Sequence, residues 1–289
     1  MTVRRLLPAL LAASFAPLSA QVAVGLRLEH GQYVAGEAVS VTLTMTNNAG
    51  QDMVFQDDGR VNWLDFVMKD EHGAPVSPLA KPAFGAMRLP VGQTLARSMD
   101  LTRLFRLSQL GTYSVHAVVR QPGPRSEGFL SNRLLFTITN AHPVWSQKVG
   151  VAGRPGETRE YRVMTYSGEQ KTKLYVQVND VRSGSPIQTY SLGEAMMFRK
   201  PMSAIDSSQN LHVLYLSTPA VWVHACIDTD GRLVSSDYHK RGVDTDPALV
   251  TLPGGQVQVA GSLPYDPKAE RDALKTTHKL SERPSVVYR

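Results

Sequence analysis

The sequence predicts an all-β chain made of two β-rich domains, and three observations carry that prediction. Apolar residues recur at every second position over long stretches, as in Val39, Val41, Leu43 and Met45, the pattern of strands with one buried face. Clusters of Gly, Asp, Asn, Ser and Pro punctuate these runs at short intervals. Charged residues make up only 19% of the 289 positions, against about a quarter in ordinary globular domains. With 42% apolar residues the chain can bury a sizeable core.

The first element is "MTVRRLLPALLAASFAPLSA". Arg4 and Arg5 precede an apolar stretch and small residues ending at Ala20, the layout of a secretory signal peptide over residues 1–20. The stretch is too short to span a bilayer, and no other segment reaches ~18 consecutive apolar residues, so no transmembrane segment is expected. Cys226 is the single cysteine, which rules out an intramolecular disulfide and a lipid anchor after residue 20. These features suit an exported bacterial protein, periplasmic or extracellular. The net charge of +6 is scattered and forms no basic stripe with interleaved aromatics, so nucleic acid is not an expected partner.

From residue 22 the strands follow in order. Val22 to Leu28 alternate, "HGQYVAGEA" turns the chain, and Val39 to Met45 alternate again. "MVF" and "VNWLDFVMKD", with Trp63, come next, separated by the "QDDGR" turn, and "DEHG" at 70–73 closes the second. "FGAMRL", "LARSMDL", "YSVHAVVR" and "NRLLFTI" complete seven or eight short strands separated by turn signals, the pattern of an immunoglobulin-like β-sandwich over residues 21–140. Within "LSQLGTYSVHAVV", Gly111 supplies a sharp entry and Tyr113 a structural latch whose hydroxyl would bond backbone just upstream.

"GEAVSVTLTMTNNAGQDMVF", "LPVGQTLARSMDLTRLFRLSQLGTYSVHAVV" and "SNRLLFTI" together resemble a bacterial secreted immunoglobulin-like domain. The pattern is similar to the non-catalytic N-terminal domain of deuterolysin-like metallopeptidases and, more loosely, to the bacterial intracellular proteinase inhibitor. The resemblance covers residues 22–140 and implies a fold. The metallopeptidase motif His-Glu-x-x-His is absent from the chain, so that activity does not transfer.

"NAHPVWSQKVGVAGRPGE" reads as a linker at 141–157, because it holds two prolines and little periodicity. Residues 158–265 read as a second β-rich domain, a sandwich or small barrel, from runs such as "REYRVMTYS", "KLYVQVNDV", "NLHVLYL", "AVWVHACID" and "GQVQVAGS". Residues 266–289 form a polar tail with room for a short helix.

For chemistry, His212, His224 and Cys226 invite a zinc or copper reading. If Ser217 to Ala220 form the hairpin turn, 212 pairs with 225 and 213 with 224, which places the two histidines on opposite faces. His224, Cys226 and, on the next strand, His239 then remain as candidate ligands that do not complete a set, and no metal or other cofactor is expected. Cys226 beside Trp222, Val223 and Ile227 reads as a buried thiol rather than a nucleophile. "DTDG" and "QDDG" are turns rather than calcium loops, and "RSGSPI" lacks the nucleophile-elbow setting. The aromatics of the second half offer ligand-binding candidates in Tyr175, Tyr190, Trp222 and Tyr238, set against the ordinary preference of strands for aromatics. The expected function is a binding or accessory module for a protein or glycan. The alternatives are a secreted hydrolase with its site in the second domain, or an inhibitor of exported proteases using the loop at 120–131.

Overall fold

A computed structural model describes residues 22–277 except 60, 80–83, 122–127, 169–170 and 244, with side chains to residue 272. The predicted signal peptide, the middle of the 120–131 loop and the end of the polar tail lie outside the described residues.

The chain is all-β. Its strands are β1 (Val22–Leu28), β2 (Gln32–Val34), β3 (Ser40–Asn47), β4 (Met53–Phe55), β5 (Leu64–Lys69), β6 (Met87–Leu89), β7 (Thr94–Asp100), β8 (Gly111–Val119), β9 (Phe129–Leu130) and β10 (Leu134–Thr139). They continue as β11 (His142–Val151), β12 (Arg154–Ser167), β13 (Thr172–Asp180), β14 (Pro186–Glu194), β15 (Met202–Ile205), β16 (Leu211–Thr218) and β17 (Val221–Ile227). β18 (Leu233–Arg241), β19 (Ala248–Thr251), β20 (Val257–Ala260) and β21 (Ser262–Tyr265) precede the one α-helix among the described residues, α1 (Pro267–Thr277). Asp266 caps that helix, its Oδ1 accepting the N–H groups of Lys268 and Ala269, and Pro267 sits at the first helical position, where its missing donor is harmless. No described helix is long and apolar enough to cross a membrane.

Two compact units divide the described residues: those within 22–29, 40–106 and 113–135 make the first, and those within 30–39, 107–112 and 136–277 the second. In the first, β1, β3 and β7 form one antiparallel sheet. Val41, Leu43 and Met45 of β3 are buried, while Thr42 and Thr46 on the other face bond Ser98 and Thr94. β5 pairs antiparallel with β8, burying Leu64, Phe66 and Met68 against water on one face. Trp63 is almost fully enclosed; its indole N–H donates to the carbonyl of Phe84 at 2.8 Å, and its ring meets those of Phe55 and Phe84. Gly111 enters β8 at φ 137°, a conformation open to glycine and strained for other residues, and the Tyr113 side chain is buried. The predicted turns at 56–59 and 70–73 are turns: Asp57 and Asp58 accept the N–H groups of Trp63 and Val61, and Asp70 accepts those of His72 and Ala74.

The second unit is a β-sandwich with an extra layer. Sheet β11-β12-β13-β14 faces sheet β15-β16-β17-β18-β21. Between them Tyr161, Val163, Val176 and Val178 pack against Val213, Tyr215, Val223 and Ala225. The Tyr161 hydroxyl donates to the carbonyl of Gln209, and that of Tyr215 to the carbonyl of Leu192, so both buried phenols are satisfied. The outer face of the second sheet carries Leu214, Leu216 and Trp222, covered by Leu249 of β19 and Val259 of β20. That hairpin forms the third layer.

Two expectations need correction. Residues 141–157 are not a linker. They hold β11, which pairs along its length with β12 through a turn at Ala152 and Gly153. Bulges between Pro143 and Trp145 and between Gly150 and Val151 break the alternation, which hid the strand from a period-two reading. Pro143 is tolerated because β11 is an edge strand. The segment read as a turn at 30–38 contains β2, which runs parallel to β10 with Tyr33 opposite Ile138. Val34 is buried with Met164 and Tyr175, and Gln177 donates to the carbonyl of Ala35. Residues 30–39 therefore belong to the second unit, although they precede most of the first. A fragment of residues 141–277 lacks them, and its urea midpoint is expected to lie below that of the second unit in the whole chain, by a stability loss of about 2 kcal/mol or more. Equal midpoints, followed by circular dichroism, would show β2 to be dispensable.

Candidate ligand site on the second sheet

Asp206 follows directly on β15 and holds the turn into β16. Its Oδ1 accepts the Asn210 N–H at 2.8 Å and its Oδ2 the Asn210 side-chain amide at 3.0 Å. Gln209, at φ 67°, completes the turn by donating its N–H to the Asp206 carbonyl. β16 then places His212 on the outer face, the face covered by the β19–β20 hairpin.

The register of β16 with β17 differs from the expected one by a single residue. His212 pairs with Cys226 and Leu214 with His224. The cause is a bulge at Ser217: Leu216 pairs with Trp222 and Thr218 with Val221, which leaves Ser217 unpaired and tightens the turn to Pro219 and Ala220. Because side chains alternate, a slip of one exchanges faces. His212 and His224, expected on opposite faces, lie on the same one.

They are in contact. His212 Nδ1 lies 2.9 Å from His224 Nε2, with the rings stacked at 5.1 Å and 12°. His212 Nε2 lies 3.2 Å from Asp206 Oδ2 and 3.8 Å from Cys226 Sγ. A chain of hydrogen bonds thus runs from Asp206 through His212 to His224. Burial alone would raise the Asp206 carboxyl, but the Asn210 N–H, His212 and the Asn210 amide outweigh it and hold the group below its ordinary value. Burial, with His212 and His239 adding repulsion, pushes His224 down to about 4. Burial, and then the carboxylates of Asp206, Asp228 and Asp237, push the Cys226 thiol up to about 11, which keeps it protonated and unreactive.

His224 also lines a surface depression of about 660 Å³, with Asp237, His239, Val257, Val259 and Pro264. Asp237 is the cross-strand partner of His224 on β18, so both side chains emerge on the outer face. The Asp237 carboxylate enters no hydrogen bond or ion pair among the described residues. His239 Nδ1 shares a hydrogen bond with Ser262 Oγ at 3.1 Å, while its Nε2 is buried with no partner among the described residues. Burial lowers the His239 pKa as well, although Asp237 opposes the shift.

Of the four aromatic candidates, three sit in packed surroundings. Tyr175 belongs to the cluster with Val34 and Met164. Trp222 packs with Leu214 and Leu216. Tyr190 packs against the core between the sheets, where burial pushes its hydroxyl up to about 12. Tyr238 is 41% exposed and borders the depression with its partner Tyr265. Alternation sends both rings to the other face of the sheet, where Lys240 stands 4.0 Å above the Tyr265 ring. Of the metal candidates, His224 and His239 come within 6.2 Å of each other, ring centre to ring centre, and Cys226 lies beside His212. Among the described residues, no group of three or more His, Cys, Asp or Glu side chains is placed to hold a metal ion. Asp206 went unnoticed in the sequence; its signal was a lone Asp in "AIDSSQNLH", at a turn one short step from His212.

No family model and no curated protein matches the chain. Among solved structures, the crystal structure of Spo0M, a sporulation control protein from Bacillus subtilis, matches over 60% of this chain and 90% of that one, at 10% identity and a TM-score of 0.27. That likeness bears on neither fold nor function.

Proposed function

We propose that the chain is an exported bacterial binding module that takes a protein or glycan ligand at the depression beside His224, Asp237 and His239. The observation that supports this reading is a surface depression lined by His224, by the exposed Asp237 and by His239, whose Nε2 has no hydrogen-bond partner among the described residues. The N-terminal strands, with their resemblance to secreted immunoglobulin-like domains, fit an accessory role for the first unit.

The Asp206–His212–His224 chain favours a second reading, a secreted hydrolase with His224 as its base. The magnitudes favour binding. A base held near a pKa of 4 is poorly matched to proton transfer at neutral pH, whereas the same imidazole accepts hydrogen bonds well.

Replacing Asp237 by Arg fills the depression with a cation while touching no core contact. Screened against glycan and peptide libraries, the variant is expected to lose at least tenfold in affinity for whatever the mature protein binds, with an unchanged melting temperature. Undiminished binding by the variant would remove the depression from the reading.

A further inference from the structure

We infer that the depression is an acceptor site for neighbouring hydroxyls of a sugar ring, with His224 Nδ1 and the Asp237 carboxylate as paired acceptors. The inference rests on the binding reading above and chooses glycan over protein.

Asp206 anchors the chain of hydrogen bonds. Bonds from the Asn210 N–H and amide stabilise its ionised form, and an ionised carboxylate only accepts. His212 therefore donates from Nε2 to Asp206. In its neutral form His212 carries one proton, so its Nδ1 is then an acceptor and the 2.9 Å contact requires His224 Nε2 to donate. His224 is thereby fixed in its Nε2–H tautomer. Its Nδ1 is left as a lone pair on a residue that lines the depression, and none of the described hydrogen bonds uses it.

Asp237 adds a second acceptor on the same face. Directly paired side chains stand about 5 Å apart at Cβ, within reach of two adjacent hydroxyls of one pyranose. His239 also lines the depression, with its Nδ1 held by Ser262 Oγ and its Nε2 enclosed. Val257, Val259 and Pro264 supply an apolar wall for the C–H face of the ring. The acceptors at His224 and Asp237 beside this apolar wall suit a ligand that combines O–H donors with a C–H face.

The test uses the mature chain labelled with ¹⁵N. At pH 7, long-range ¹⁵N–¹H correlation is expected to show His224 protonated on Nε2. The probes are methyl glycosides of glucose, galactose and mannose, chitotriose, and separately trilysine. At least one carbohydrate is expected to shift the His224 Nδ1 and His239 ring signals, and Asp237→Ala to weaken that binding at least tenfold while leaving the urea midpoint unchanged. A proton on His224 Nδ1 overturns the tautomer argument and the inference with it. Perturbation of the same signals by trilysine alone overturns the glycan inference and leaves the binding reading standing. Silence towards every probe overturns both.

Discussion

Lowering the pH from 6.5 to 4 is expected to remove about 3 kcal/mol from the free energy of unfolding through His224. The folded protein holds this imidazole at about 4, against an ordinary 6.5 in the unfolded chain, so between those values the unfolded state binds the proton and the folded state does not. The stabilisation is complete above pH 6.5, falls as the pH drops through that window, and levels off below about 4. The groups that set the value are the burying layer itself, His212 and His239, which lower it, and Asp237, which raises it. Asp206 acts in a separate, lower range: its folded value lies under 3.8, so its contribution is lost only as the pH falls further. Urea midpoints at half-unit steps from pH 7.5 to 3.5 test this. His224→Asn is expected to be less stable at pH 7.5 and to lose most of the slope between 6.5 and 4. An unchanged slope in the variant would assign the acid sensitivity to other groups.

Trp63→Ala is expected to cost about 3–5 kcal/mol and to leave the first unit marginal. The side chain is 2% exposed, and the surrounding Phe55 and Phe84 cannot collapse into its space without breaking their own contacts. Trp63→Phe separates the two parts of that loss. It keeps much of the ring volume but leaves the Phe84 carbonyl without the indole donor, and is expected to cost about 1–3 kcal/mol. Tyr238→Ala, at the exposed edge of the second sheet, serves as the contrast and is expected to change stability by about 0.5 kcal/mol or less. Denaturation followed by far-ultraviolet circular dichroism ranks all three. A Trp63→Ala variant within 1 kcal/mol of the parent would mean that this pocket relaxes freely.

The parts of the fold that were legible are those where backbone regularity and burial agree. β3 alternates without a break from Val41 to Met45, and β5 from Leu64 to Met68, so their faces could be assigned from the residues alone. Legibility failed where one extra residue entered a strand. Two bulges disguised β11 as a linker, and a third, at Ser217, moved His212 across the sheet. Nothing local announces such a bulge; pairing with the neighbouring strand decides it. The candidate site inherited the same blind spot. His224 and His239 were singled out, but what joins them to Asp206 is register, and three of the four aromatic candidates followed the usual preference of large rings for a packed interior.

The early position of β2 bears on the order in which the molecule can assemble during synthesis. Gln177 reaches Ala35 across 142 residues, and Tyr166 reaches Gln32 across 134. A chain emerging from its N-terminus exposes Tyr33 and Val34 long before the strands that enclose them exist. Closing so long a loop comes late, after nearer contacts have formed, and slow non-local pairing leaves an unpaired strand edge available to other chains in the meantime. The short length of β2, three residues, limits what that waiting edge can recruit. The second unit therefore completes this part of its fold only when β10, β12 and β13 capture a segment made near the beginning, and substitutions at Tyr33 or Val34 should slow that step more than they disturb the earlier ones.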